Sequence, residues 1–91
     1  MIESEEIIKS IRSVSDKDSM AYKVTDYYYD LTSGIFDDEE IAIVSNKLLD
    51  IEKYLIEWSK SHHYNYTIMQ PEENALRLIN DLREKGLIRE K

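Results

Sequence analysis

An unbroken apolar seam runs from Ile41 to Trp58, and it limits the chain to a helical fold. Ile41, Val44, Leu48, Ile51, Leu55 and Trp58 follow one another at steps of 3, 4, 3, 4 and 3, and His62 adds a further step of 4. That spacing puts all of them on one side of an α-helix and gives a strand no consistent face. A helix over about 38–62 would be roughly 37 Å long at the α-helical rise per residue, long enough to act as the spine of a small protein. Leu49 and Ile56 lie beside the seam, so the same helix is expected to touch more than one neighbour. They also leave a homodimer open. The chain has 91 residues, which fits a single domain over 1–91.

Punctuation elsewhere divides the sequence into three further helices. Ser4 can cap a first helix over Ser4–Val14, with Glu5 and Glu6 at the positive end of its dipole and Ile7, Ile8, Ile11 and Val14 as its apolar face. Ser15–Asp18 supplies capping residues for a second helix over Ser19–Thr32. Its apolar face is read as Met20, Val24, Tyr27 and Leu31, and Gly34 is a left-handed stop with Ile35 packing back over the end. Asp37 followed three residues later by Glu40 has the pattern of a capping box that opens the long helix. Pro71 opens a fourth helix, whose buried face is Ala75, Leu76, Ile79 and Leu82. Gly86 closes it, with Arg83 and Lys85 at the negative end of its dipole. Between the last two helices, Tyr64, Tyr66 and Ile68 alternate, which allows a short extended segment within His63–Met69. The expected fold is therefore all-α, a small irregular four-helix bundle built around one long central helix at about 38–62.

Charge is distributed unevenly along this frame. The formal net charge is −7. Residues 1–40 hold eleven acids and four bases, which accounts for the whole of it, and residues 41–91 hold eight of each. A partner approaching the first half meets a negative field, which disfavours nucleic acid phosphates and favours a basic protein surface. The chain has no cysteine, so no disulfide or thiolate metal site reinforces it, and a cytoplasmic setting is expected. No stretch approaches the ~18 consecutive apolar residues of a membrane span.

Catalytic and cofactor signatures are missing from the sequence. His62 and His63 are adjacent, so on a helix they point about 100° apart and cannot share a metal as an i, i+4 pair could. Asp50, Lys53, Glu57 and Lys60 read as exposed helix pairs. Asp16, Asp18 and the Asp37–Glu40 run lack the order of a calcium loop, and neither glycine belongs to a phosphate-binding loop. The expectation is no enzyme, no cofactor and no metal. Asp18-Ser19-Met20, followed by Ile51-Glu52-Lys53-Tyr54-Leu55, resembles acyl carrier proteins, small acidic bundles whose Asp-Ser-Leu serine carries phosphopantetheine. Only eighteen residues precede Ser19, and Lys23 and Asp26 stand where that family's next helix is apolar, so Ser19 is read as a helix cap. The run from Ala75 to Ile88 is similar to the recognition helix and wing entry of winged-helix regulators, which implies DNA binding through the fourth helix. Thr67–Glu73 is too short for the helix that precedes recognition in that family, and no basic stripe accompanies the motif.

The feature expected to carry function is on the second helix. Tyr22, Asp26 and Tyr29 fall at spacings of 4 and 3, opposite the assigned apolar face, with Asp30 flanking them. Tyr27, Tyr28 and Tyr29 cannot all face inward on one helix, so Tyr29 is expected to be exposed. Tyrosine offers large contact area at small entropic cost, and acids beside it would pair with a partner's Lys or Arg. The expected partner-binding set is Tyr22, Asp26, Tyr29, Asp30, Asp37 and Asp38. Composition and size are similar to the immunity proteins of nuclease bacteriocins and to phage inhibitors that mimic DNA charge. The likeness implies a non-enzymatic inhibitor or immunity-type protein docking a basic surface. The alternatives are a self-associating assembly module and a nucleic-acid-binding regulator.

Overall fold

The computed structural model describes residues 4–61 and 70–89. They form four helices: α1 (Ser4–Val14), α2 (Met20–Thr32), α3 (Asp38–Ser61) and α4 (Pro71–Glu84). No strand occurs among the described residues. The fold is the expected all-α bundle with α3, 24 residues, as its longest element. The expected extended segment at His63–Met69 and the last step of the seam, at His62, lie outside the described residues.

Local chemistry explains where the helices begin and end. The Ser19 hydroxyl accepts the Tyr22 amide at 3.2 Å and so caps α2. At α3, Asp37 Oδ1 accepts the Glu40 amide at 2.8 Å, and Glu40 Oε1 accepts the Asp37 amide at 3.2 Å, a complete reciprocal capping box. At the end of α4, the amides of Gly86 and Leu87 donate to the carbonyls of Arg83 and Leu82, both at 3.0 Å. This is a Schellman motif, and it requires the left-handed backbone that Gly86 adopts at φ +73°.

Packing follows the seam. Val44, Leu48, Ile51 and Leu55 are buried, with Ile41 and Trp58 half-buried at the two ends. They meet Ile7, Ile8 and Ile11 of α1, Ala21, Val24 and Leu31 of α2, and Ala75, Leu78, Ile79 and Leu82 of α4 in one core. Helices α2 and α4 each pack against all three others, while among the described residues α1 and α3 make no close backbone approach to one another. Residues 87–89 return along α3. Ile88 is buried, the Arg89 amide donates to the fully buried Ser45 hydroxyl at 2.9 Å, and the Arg89 guanidinium pairs with Asp38 at 2.6 Å. Arg83 forks onto Glu52 with contacts of 3.1 and 2.9 Å, which pins α4 to α3.

Several side chains sit differently from expectation. On α2 the inward tyrosine is Tyr28, not Tyr27, and the buried face is Ala21, Val24, Thr25, Tyr28 and Leu31. Ile35 does not pack over Gly34. It is 79% exposed, and Phe36, the next residue, packs against the core instead. Val14, read as part of the apolar face of α1, is 69% exposed at the last residue of that helix. The Ser4 hydroxyl donates to Asp81 Oδ2 at 3.1 Å rather than serving its own helix end. Asp50, Lys53, Glu57 and Lys60 are exposed, and none pairs with another among the described residues.

Candidate functional site

Tyr22, Asp26 and Tyr29 do come together on one face of α2, and the group that gathers them is Arg12 on α1. Its Nε donates to Thr25 Oγ1 at 3.0 Å and its Nη1 to the Tyr22 hydroxyl at 3.2 Å, while its Nη2 pairs with Asp26. The guanidinium carbon lies 4.6 Å from the centre of the Tyr22 ring and 5.4 Å from that of Tyr29. Both distances are within cation–π range. One planar cation thus fixes two aromatic rings, a hydroxyl and a carboxylate against the α1–α2 seam. Thr25 is fully buried, and its hydroxyl also donates to the Tyr22 carbonyl at 2.5 Å, so the clamp is anchored at its base. Its outer side remains open: Tyr29 is 46% exposed and the Asp26 side chain 54%.

Arg12 also changes the electrostatics of the face. It offsets the charge of Asp26, so negative potential here comes from neighbouring acids. Glu5, exposed on α1, shares a cleft of about 360 Å³ with Ser4, Ile8, Tyr28, Tyr29, Thr32 and Lys85. The other three expected residues are placed differently. Asp30 is half-buried, and its carbonyl accepts the Ser33 hydroxyl at 2.7 Å. Asp37 and Asp38 open α3, where the first is engaged in the capping box and the second pairs with Arg89. No contact joins either to the Tyr22–Asp26–Tyr29 group among the described residues.

Beneath Tyr29, a polar knot ties three helices together. The Tyr28 hydroxyl donates to Asp81 Oδ2 at 2.6 Å and accepts from Lys85 Nζ at 2.8 Å. Lys85 reaches the same carboxylate oxygen at 3.0 Å, and Ser4 completes the set from α1. The Tyr28 hydroxyl, above all, holds the Asp81 carboxyl below its usual range, with Lys85 and Ser4 adding to the effect against partial burial. The same tyrosine, followed by Asp81, holds the Lys85 ammonium above its usual range. The knot's contribution through Asp81 is present above the ordinary carboxylate pKa near 3.8 and is lost as pH falls below it. Its contribution through Lys85 is full below about pH 10.5 and fades at higher pH. Melting curves from pH 7 to pH 3 test the acid limb. The wild type is expected to lose stability below about pH 4, and Asp81→Asn to start lower at pH 7 and change less with acid.

Sequence reasoning found the tyrosines and missed the arginine. The available signals were a lone base beside the apolar face of α1 and a threonine at a core position of α2. No group of three or more metal-ligating side chains is assembled among the described residues. No family model, no curated protein and no solved structure matches the chain.

Proposed function

We propose that this chain is a small non-catalytic binding module, of inhibitor or immunity type, that docks a basic protein surface on its α1–α2 face. The observation that carries this reading is the Arg12-clamped group of Tyr22, Asp26 and Tyr29. A tyrosine held by a cation–π contact has less conformational freedom to lose on binding, which is the property of a hot-spot anchor. Glu5, Asp30 and the excess of acids in residues 1–40 supply the negative field that steers a basic partner. The Tyr29 ring is exposed, so it is available without any rearrangement of the core. Two bases at the end of the fourth helix, by contrast, are engaged within the fold: Arg83 with Glu52, and Lys85 with Asp81 and Tyr28. That arrangement gives the winged-helix alternative no support.

The test begins with affinity capture from the native host, followed by titration of the captured partner. Tyr29→Ala is expected to weaken binding by about thirtyfold or more while leaving the melting temperature close to that of the wild type. Asp26→Lys is expected to weaken it further, and the association rate is expected to fall as salt rises. A dissociation constant unchanged by both substitutions would place the partner elsewhere on the molecule.

A further inference from the structure

Helix α3 carries a second stripe of side chains on the side opposite its buried seam. Ile43 is 49% and Tyr54 50% exposed there, and Lys47 and Asp50 are exposed between them. At about 100° per residue the four lie within about 60° of one another, along roughly 16 Å of helix. Neither Lys47 nor Asp50 forms an ion pair among the described residues. The stripe is self-complementary. Positions 43 and 54, and positions 47 and 50, are symmetric about one point, midway between Leu48 and Leu49. A second α3 laid antiparallel across that point sets Ile43 of one copy against Tyr54 of the other, and Lys47 against Asp50, with each pairing made twice. The charge on this element also suits a second copy. Residues 41–61 hold three acids, Asp50, Glu52 and Glu57, and three bases, Lys47, Lys53 and Lys60. The excess of acids lies in residues 1–40, so two copies can approach through α3 without bringing their like charges together.

From this symmetry we infer that the outer face of α3 is the interface of an antiparallel homodimer of this chain. The contact is isologous, so it closes on itself and stops at two copies. The central charges set the orientation, because a parallel pair in the same register places Lys47 against Lys47 and Asp50 against Asp50. Glu40 and Glu57 fall opposite one another at both ends of the contact and oppose it. With a contact one helix wide, that puts the dimer in the weak, reversible class. Leu49 and Ile56, the apolar pair beside the seam, lie about 130–150° round the helix from the middle of the stripe and take no part. The proposal is independent of the α1–α2 face, since Arg12, Tyr22, Asp26 and Tyr29 all lie on the other two helices.

Sedimentation equilibrium of the whole chain, from about 5 μM to about 1 mM, tests the assignment. The expected result is a monomer–dimer equilibrium with a dissociation constant of about 10–500 μM. Lys47→Asp and Asp50→Lys are each expected to weaken it by about tenfold or more at unchanged melting temperature, since each turns two attractive contacts into repulsive ones. An equimolar mixture of those two variants is expected to dimerise at least as tightly as the wild type, because an acid then faces a base at every central position. Glu57→Lys is expected to tighten the dimer by about threefold, and Tyr29→Ala to leave it unchanged. A wild type that stays monomeric at about 1 mM, a dimer indifferent to both central reversals, or a mixture no tighter than either variant alone would overturn the assignment.

Discussion

Leu78→Ala is expected to remove about 3–4 kcal/mol of stability, the largest loss from any single change considered for this chain. Leu78 is fully buried on α4, which, like α2, packs against all three other helices. Truncation removes three carbon atoms from a site whose neighbours Ile8, Leu48, Ile79 and Leu82 are themselves fully buried in the same core, so little can move in to fill the space. The lost transfer energy and the cavity term therefore add. A domain of this size has only about 5–10 kcal/mol to lose. With a urea slope near 1–1.5 kcal/mol per molar, the unfolding midpoint should fall by about 2–4 M. Leu78→Met, which keeps the volume, should cost less than about 1.5 kcal/mol. A loss below about 1 kcal/mol for Leu78→Ala would mean that α4 is not packed into the shared core as described.

Arg12→Ala is the second large effect, at about 2 kcal/mol, and its origin is polar. The ion pair with Asp26 is half in solvent and contributes little by itself. The greater part comes from the buried Thr25 hydroxyl, which loses the Nε donor, and from the two rings that lose their cation. The Arg12 stem also covers the α1–α2 seam, so truncation removes packing along with charge. Arg12→Lys separates these contributions. It keeps the charge and most of the stem but cannot present a planar fork to Thr25, Tyr22 and Asp26 at once. It is expected to recover less than half of the loss, measured by urea unfolding at pH 7. Full recovery by lysine would reduce the clamp to a simple charge pair.

Helix boundaries were legible because their signals are local. Ser19 caps α2, Asp37 and Glu40 close on each other, and Gly86 turns the chain after α4. Each of these bonds spans only a few residues, so the sequence carries all of its partners together. The seam on α3 was legible for a similar reason, since six apolar residues in register allow one inward face. The inward face of α2 was harder to read. Tyr27 and Tyr28 differ by about 100° around the helix, and helix α2 is mixed enough in polarity for either to serve. Tyr28 turns in because its hydroxyl finds Asp81, 53 residues away, together with Lys85. The role of Arg12 is hidden in the same way. Its partners lie on the next helix, and the docking angle of α1 on α2 decides whether a base at that position reaches Tyr22 or water. The return of Ile88 and Arg89 along α3 likewise depends on the fully buried Ser45 hydroxyl, an acceptor that only the folded chain supplies.

The proposed binding face is most directly tested by mapping amide chemical-shift changes in the isotope-labelled chain as its captured partner is added. The account predicts that the largest changes cluster at Arg12, Tyr22, Asp26, Tyr29 and Asp30, with the outer face of α3 around Ile43, Lys47 and Asp50 unmoved. Changes confined to α3, with the α1–α2 face silent, would contradict it.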